Sequence, residues 1–405
     1  MIKAGLSCAC LAALATAALR AEDIMDRVDE ALTFSMMGDR VRVRLSGTLD
    51  LEYYHLDQPP SGLFDTSLHD LFNPRLTFFL DAQLGPHVYV FAQARVDRGF
   101  DPAANGPRMR ADEYALRYTP WDDGRFSVQI GKFAPVIGNW MSRHLSWDNP
   151  FITAPIPYDY ITAASDIEVP KSSGDFIAGQ SEGSYEYNPI IWNAAYASGI
   201  SVSGQADMFE YAAEVKNSAL TSRPKSWDAT DRGFQHPTVN ARLGVRPNTL
   251  WRLGVSASYG PYLRSETAPD IPAGRGIGSY HQILLGQDIS FAWHHWQLWA
   301  EVYESRFEVP NARHADTLAW YVEAKYKFTP ELFAALRWNQ QLFTTLPDDN
   351  GGLAKWGRDV WRIDAALGYR FTPHTQLKLQ HSLEHETSGP RGYRNIFAAQ
   401  FTLRF

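Results

Sequence analysis

The sequence of 405 residues contains only two cysteines, and both lie close to its start, at Cys8 and Cys10. The surrounding residues have a cationic start at Lys3, an apolar alanine-rich run and a small-residue site that ends at Ala21. This layout is typical of a secretory signal peptide. We expect a signal peptide at 1–21, so the mature chain would contain neither a disulfide nor a catalytic thiol.

The sequence also lacks a second long hydrophobic run and an excess of positive charge. No later stretch of about 18 apolar residues occurs, which excludes helical membrane spans. The formal net charge of −7 becomes −9 when Lys3 and Arg20 leave with the signal peptide, and no nucleic-acid partner is expected. Aromatic residues nevertheless make up 13% of a chain whose mean hydropathy is −0.31. An exported chain that is aromatic-rich but polar on average is typical of a membrane β-barrel.

Alternation of apolar and polar residues recurs along the whole chain. In the run 41–53, valine, leucine, glycine and tyrosine alternate with arginine, serine, threonine, aspartate and glutamate. The final stretch 393–405 alternates in the same way and ends on Phe405. A period of two predicts β-strands with one apolar and one polar face. Each run exceeds the roughly 9–11 residues that a tilted strand needs to cross a bilayer.

The pattern predicts sixteen strands, separated alternately by long and short connections. They are 41–55, 73–84, 87–97, 110–119, 125–134, 185–197, 206–218, 237–246, 250–260, 279–292, 295–308, 316–328, 331–343, 358–371, 374–386 and 392–405. Short turns follow even-numbered strands and mostly longer segments follow odd ones, as in outer-membrane barrels with short periplasmic turns and longer external loops.

We therefore predict an all-β fold, a transmembrane antiparallel up-and-down β-barrel of about 16 strands at 41–405. A periplasmic leader at 22–40, which could form a short helix, would precede it. The last strand would pair with the first, because hydrocarbon tolerates no open sheet edge.

The longest external segment, 135–184, follows the fifth predicted strand. This arrangement resembles that of sixteen-stranded general porins, in which the loop after strand five folds into the barrel and narrows it. The stretch 131–138, GKFAPVIG, is similar to the Gly-x-Phe-x-x-Pro-x-Gly element of phosphate-selective porins of the O and P type, with proline one position early. The resemblance implies a bacterial outer-membrane location, a homotrimer surrounded by outer-membrane lipid, and passage of small hydrophilic solutes or ions.

Charged side chains of the loop and of the early strands are the candidate pore residues. An acidic loop opposite an arginine wall would set a transverse field across a constriction, and clusters of charge are how pores select. The candidates are Arg42, Arg44, Arg75, Arg95, Arg117 and Arg125 on the wall, and Asp148, Asp166, Glu168 and Asp175 on the loop. The alternative is that these charges merely solvate a polar lumen.

Three functions are consistent with this pattern. The first is a passive diffusion channel with the loop as its constriction. The second is an anion- or phosphate-selective channel, since arginine binds phosphate through paired hydrogen bonds. The third is a plugged structural barrel that serves as anchor or surface receptor, because the loop aromatics Trp140, Trp147, Phe151 and Tyr158 could fill the lumen.

No enzyme, metal or cofactor site is expected. His381 and Ser382 are neighbours on a predicted strand and point to opposite faces, so they cannot form a catalytic dyad. His381 and His385 share a face but lie about 13 Å apart at roughly 3.3 Å per residue, too far to bind one metal ion. The sequence LPDDNGG at 346–352 consists of ordinary turn residues, which favours a turn over a calcium site.

Overall fold

The computed structural model describes residues 24–38, 40–57, 62–63, 69–97, 108–179, 187–387 and 392–405; the predicted signal peptide lies outside them. Antiparallel strands dominate, and sixteen of them form the wall of a barrel. In chain order these are β1 (Val41–Leu56), β2 (Asp70–Leu84), β3 (Val88–Asp97), β4 (Arg108–Tyr118), β5 (Ser127–Phe133), β6 (Ala197–Ala206), β7 (Phe209–Lys216), β8 (Thr238–Val245), β9 (Trp251–Pro261), β10 (His281–Trp293), β11 (Trp296–Phe307), β12 (Ala315–Lys327), β13 (Leu332–Phe343), β14 (Val360–Thr372), β15 (Thr375–Glu386) and β16 (Tyr393–Arg404). The predicted sixteen-stranded antiparallel barrel is confirmed.

Closure of the barrel joins β16 to β1. Phe401 lies opposite Leu51, and the two strands pair from Ile396 to Arg404. Beyond β16, Phe405 and Gly47 exchange two backbone hydrogen bonds with N···O distances of 2.8 and 3.0 Å. The predicted pairing of the first and last strands is therefore confirmed.

Residues ahead of the barrel form a helix over 24–31 and a short strand, Thr33–Met36. This strand pairs with the beginning of β1, where Met36 lies opposite Val41. β16 does not reach that part of β1, so the short strand pairs with the part of β1 that β16 leaves unpaired. Among the described residues, no α-helix combines the length and the apolar character required to span a membrane.

The two faces of the barrel differ as the alternation predicts. Large apolar side chains are exposed on the outer face of every strand from β7 to β14, among them Val255, Leu285, Val322 and Leu336. Exposed aromatic residues gather where strands meet the short turns: Trp251, Trp293, Trp296, Phe328 and Phe371. An apolar outer band with an aromatic girdle is the surface that a bilayer solvates best. Below, the end with short turns is called the turn end, and the other end the loop end.

The position of the sixth strand differs from its prediction. Residues 187–196 are not a strand; Ile190, Ile191 and Trp192 among them are fully buried inside the barrel. The true β6 reads ASGISVSGQA, and only Ile200 and Val202 carry large apolar side chains. The prediction at 185–197 was wrong because it placed the most apolar segment on the wall, although that segment packs inside. The following strand is also shorter than 206–218, and spans Phe209–Lys216.

Candidate functional site in the barrel lumen

The segment 134–196 between β5 and β6 is here called the long loop, and its described residues, 134–179 and 187–196, fold into the barrel. Its described parts contain two 3-10 turns, Met141–Arg143 and Ile156–Tyr158, and a short α-helix, Ser173–Gly179. Gly138 begins the inward path with φ +65°, and a side chain there would collide with Tyr303. Aromatic residues of the loop are almost completely buried: Trp140, Phe151, Tyr158, Tyr160 and Trp192.

Glu301 on β11 holds the first part of the long loop. Its carboxylate accepts hydrogen bonds from the backbone N–H groups of Asn139 and Trp140, the latter at 2.8 Å. It also accepts a hydrogen bond from the hydroxyl group of Tyr158, with an O···O distance of 2.6 Å. A buried carboxylate needs several donors to offset its desolvation, and the loop backbone supplies them.

Lys378 on β15 holds the middle of the long loop. Its ammonium donates to the carbonyl oxygens of Ser146, Asn149 and Phe151 at 2.7, 2.9 and 3.1 Å. The neighbouring Gln380 accepts the backbone N–H of Ile152 at 2.6 Å. Three carbonyl groups converging on one ammonium fix the loop by its backbone rather than by its side chains.

Buried ion pairs continue along β12 to β14. Arg143 of the loop pairs with Glu323 at 2.5 Å, and Arg337 pairs with Asp364 at 2.8 Å. Arg362 reaches Asp159 of the loop at 3.4 Å. Removing one member of such a buried pair typically costs about 3–5 kcal/mol because the other charge is left uncompensated. The wall from β11 to β15 is therefore the side to which the long loop is bound.

A small cavity of about 60 Å³ lies between the long loop and part of the opposite wall, β1 to β4. Arg75 and Arg95 line it from the wall, and His144 and Asn149 line it from the loop. A polar cavity of this size holds a few water molecules.

Both wall arginines are paired within the wall itself. Arg75 contacts Asp50 at 3.2 Å and Glu52 at 2.5 Å, both on the neighbouring β1. Arg95 contacts Asp112 on β4 at 3.0 Å. Each arginine that borders the cavity therefore has a carboxylate partner on a neighbouring strand.

His144 lies on the loop side of this cavity. Its Nδ1 lies 2.6 Å from the carbonyl oxygen of Met141 and its Nε2 2.5 Å from the hydroxyl of Tyr196. These partners indicate a neutral ring that donates from Nδ1 and accepts at Nε2. His144 is half-buried, and burial, with Arg95 and Arg75 nearby, lowers its pKa to about 4.

The other predicted wall residues lie near the turn end. Arg42 and Arg44 are exposed at the beginning of β1, where Arg44 pairs with Asp29 of the leader helix at 2.9 Å. Arg117 donates to the side chain of Gln129 at 2.9 Å. Arg125 is also exposed and pairs with Asp123 in the turn before β5. Of the six predicted arginines, Arg75 and Arg95 are the two that line the small cavity.

The predicted acids of the long loop are not gathered opposite Arg75 and Arg95. Asp166 is fully buried and contacts Arg223, in the loop after β7, at 2.7 Å. Asp175 accepts the backbone N–H of Lys171 at 2.8 Å, and Glu168 donates its own N–H to Ser165 at 3.1 Å. Both acids border a cavity of about 80 Å³ toward the loop end.

Asp148 is the predicted acid that lies near basic side chains of the barrel wall. It is exposed and interacts electrostatically with Lys325, Arg370 and Arg404, which belong to β12, β14 and β16. The adjacent Trp147 lies between Arg370 and Arg404, whose guanidinium carbons are 5.0 and 4.2 Å from its ring centroid.

A larger cavity, here called the turn-end cavity, was missed by the sequence analysis. It measures about 700 Å³, and its charged lining includes Arg117, Arg242, Arg246, Arg252 and Glu210. Alternation along β8 and β9 would have directed Arg242 and Arg252 inward. The prediction of an arginine wall had covered only the first five strands.

The residues considered for catalysis and metal binding lie apart. Ser382 donates to Asp364 at 2.5 Å inside the barrel, whereas His381 stacks on Phe397 outside. Asp348 accepts the backbone N–H groups of Asn350 and Gly352 at 3.0 and 2.6 Å, as a turn requires. Across the described part of the chain, no group of three or more His, Cys, Asp or Glu side chains is placed to hold a metal ion.

Comparison with known proteins gives matches among solved structures. No protein-family model matches the chain, and no curated protein matches its sequence. The outer-membrane channel DcaP of Acinetobacter baumannii is similar with a TM-score of 0.57 and 11% identity, over 92% of this chain and 99% of that one. The anion-selective porin from Comamonas acidovorans is similar with a TM-score of 0.57 and 10% identity, over 90% and 100%.

Salmonella typhi OmpF, solved in complex with daunomycin, is similar with a TM-score of 0.56 and 12% identity, over 92% of this chain and 100% of that one. At such identities the likeness establishes the fold. The chain is a sixteen-stranded outer-membrane β-barrel with the fold of bacterial porins. The resemblance and the outer-membrane location expected from the sequence are confirmed.

Proposed function

We propose that this protein is an outer-membrane porin, a passive diffusion channel for small hydrophilic solutes or ions. The observation that carries the proposal is the long loop bound inside a closed barrel, with a water-sized cavity left between His144 of the loop and Arg75 of the wall. In a wide barrel, an internal loop of this kind converts an open lumen into a size filter.

Charge would select among the solutes that fit. The exposed Arg42 and Arg44 attract anions toward the turn end, and Arg75 and Arg95 line the narrow point together with their carboxylate partners. Asp148 of the long loop, which interacts electrostatically with Lys325 and Arg370 of the wall, supplies a local field in the lumen. Rings of charged side chains are a known basis of pore selectivity.

The proposal also includes export by a signal peptide at 1–21 and assembly as a homotrimer within outer-membrane lipid. A structurally similar protein, OmpT of Vibrio cholerae, has been solved in a trimer form with a TM-score of 0.51. The molar mass of the purified barrel, measured by light scattering with the detergent contribution subtracted, tests the trimer. The molar mass of a monomer would contradict the proposed homotrimer.

Conductance in planar bilayers tests the channel itself. We expect discrete single-channel steps, and the double variant Arg42→Gln and Arg44→Gln should shift the reversal potential in a salt gradient toward cation passage. The matched control is Arg306→Gln, an outward-facing arginine that pairs with Asp316 near the loop end. An unchanged reversal potential in the double variant would remove these arginines from the selectivity mechanism.

Burial of the loop aromatics favours one second candidate, a plugged structural barrel. Trp140 is 2% exposed and Tyr158 is fully buried, so the long loop fills much of the lumen. Closed traces from the full chain, together with steps from a variant whose long loop is replaced by a short linker, would favour the plug over the channel.

A further inference from the structure

We infer that the turn-end cavity is a binding site for a small organic carboxylate with an apolar body. The inference rests on the proposed function in one respect, because it names a class of solute that the channel would carry. Binding itself can be measured without transport, so the two proposals can fail separately.

One side of the cavity is built from arginines that share a single carboxylate. Glu210, at the beginning of β7, contacts Arg252 at 2.7 Å and Arg242 at 3.6 Å, and it also contacts Arg246. Three guanidinium groups thus converge on one acidic side chain. The carboxylate of Glu210 demonstrates that the arginines are arranged to receive this chemical group.

The lining of the cavity as a whole keeps an excess of positive charge. Arg242 also forms two hydrogen bonds to Asp288, at 3.0 and 2.6 Å. Together with Arg117, four arginines therefore stand against two carboxylates, which leaves two positive charges in excess. Each guanidinium carries five N–H donors, so the arginines can bind a second carboxylate while they hold Glu210.

Two of these arginines are also accessible. The side chains of Arg246 and Arg252 are 45% and 36% exposed, and both line the cavity. The cavity lies at the turn end, which is the periplasmic end in outer-membrane barrels. A solute could therefore reach these side chains without passing the narrow point of the lumen.

An apolar side of the cavity is formed by the long loop, where Pro135, Val136, Ile137 and Met141 line it. Of these side chains, Val136 is partly exposed, whereas the other three are buried. An inorganic anion would satisfy the arginines and leave Val136 in contact with water, whereas an apolar body beside a carboxylate would cover it. A volume of about 700 Å³ is typical of small-molecule sites.

Glu210 sets the affinity of this site. An incoming carboxylate competes with it for the same N–H donors, which keeps binding weak enough for release, as conduction requires. Neutralising Glu210 should therefore strengthen binding, and neutralising its arginine partners should weaken it. Opposite effects from neighbouring residues on one cavity are not expected from a general loss of structure.

Equilibrium binding to the purified barrel in detergent tests the site, with benzoate as probe and benzamide as its neutral isostere. We expect benzoate to bind and benzamide not to bind at the same concentration. The double variant Arg246→Gln and Arg252→Gln should weaken benzoate binding by roughly tenfold or more, since two charge-assisted hydrogen-bonding partners are lost. Glu210→Gln should strengthen it.

Two further variants complete the design. Val136→Ser should weaken the binding of benzoate but not of inorganic phosphate, because only benzoate uses the apolar side. Arg306→Gln, which is 47% exposed but faces outward at the other end of the barrel, should leave binding unchanged. Heat-modifiable migration on gels checks that each variant keeps its barrel.

Each remaining outcome decides against part of the proposal. Equal binding of benzamide, or unchanged benzoate binding in the folded double arginine variant, overturns the site. Phosphate binding as strong as benzoate binding overturns the apolar part. Benzoate binding without any bilayer conductance leaves the site standing and refutes the channel, whereas conductance without benzoate binding does the reverse.

Discussion

At Gly47 the outer surface of β1 carries no side chain, and the ring of Phe405 lies over it. A methyl group added at Gly47 would be 2.5 Å from the ring of Phe405 and 2.7 Å from the carbonyl oxygen of Thr77. The ring can move, but the carbonyl group belongs to the backbone of β2 and cannot move without shifting a strand. We expect Gly47→Ala to lower the free energy of unfolding by about 1–3 kcal/mol, the usual cost of overpacking.

Urea unfolding followed by tryptophan fluorescence measures this change. Gly276→Ala is the matched control, because an added methyl group there would have no neighbour within 4 Å. Equal stabilities of the two variants would show that the closing strands tolerate a side chain at Gly47.

The pKa of His144, lowered to about 4 from an ordinary value of 6.5, predicts a dependence of stability on pH. Between these values the unfolded chain binds a proton and the folded chain does not, so stability falls as the pH is lowered from 6.5 to about 4. The loss is up to about 3 kcal/mol, given about 1.4 kcal/mol for each pKa unit. It is complete below the folded-state pKa.

Comparison of the protein with its His144→Gln variant isolates this contribution. The free energy of unfolding should fall more steeply in the protein than in the variant between pH 6.5 and 4, and in parallel with it above pH 7. Parallel curves over the whole range would mean that His144 is protonated in the folded state as readily as in the unfolded chain.

The alternation of residues predicts the direction of individual side chains but not their partners. It placed Arg75 and Arg95 on the inner face, and both line the small cavity. Their carboxylate partners, Asp50 and Asp112, depend on the register between strands. A one-residue slip would reverse the face of every side chain, and sequence alone does not fix that register.

Among elements, the long loop depends on β15 for its position. Lys378→Met would leave the carbonyl groups of Ser146, Asn149 and Phe151 without their shared donor. We expect the free energy of unfolding to fall by about 3 kcal/mol, since hydrogen bonds to charged groups are worth about 1.5–3 kcal/mol each and relaxation recovers part. Single-channel current should also rise and become noisier as the loop detaches.

The control for this prediction is Lys225→Met, on an external loop, where the lysine side chain is 64% exposed. Denaturant unfolding and bilayer recordings of the two variants are compared. A stable, quiet Lys378→Met variant would mean that the loop holds its position without the ammonium group.

The positions of strands were predictable where apolar residues occur only on the lipid-facing side of the barrel wall. Strands β9 to β16 lie within a few residues of their predicted bounds, because each has one face toward lipid and one toward the lumen. The sixth strand was misplaced because apolar residues of this chain pack inside the lumen as well as on the outer surface of the barrel. Ile190 and Trp192 pack within the lumen, and a periodicity argument cannot tell an inner core from an outer surface.

In the whole molecule the two ends of the lumen differ in accessibility. Ser142 of the long loop is exposed and lines the turn-end cavity, whereas Ser305 on β11 is fully buried. The chain contains no cysteine beyond Cys10, so an introduced thiol is unique in protein produced without residues 1–21. We expect a small anionic thiol reagent to label Ser142→Cys rapidly, because reaction requires access and the surrounding arginines favour the thiolate.

Ser305→Cys serves as the buried comparison and should react slowly until the protein is unfolded. Labelling is followed by mass spectrometry. Equal rates in the two folded variants would mean that the loop end of the lumen is as open as the turn end.

The overall architecture was predictable because short connections follow even-numbered strands and mostly longer ones follow odd-numbered strands. This regularity extends over the whole chain. How the loops interlock was not predictable. The pairing of Asp166 with Arg223 joins two loops, and that of Asp159 with Arg362 joins a loop to a distant strand. Residues so far apart in sequence meet only because the barrel has closed around the loop.

The short strand Thr33–Met36 has a further consequence for the assembled membrane. Without it, the first residues of β1 would offer bare amide and carbonyl groups beside the end of β16. Such groups are templates on which another polypeptide can add a strand. By occupying them, residues 33–36 keep this part of β1 from serving as such a template.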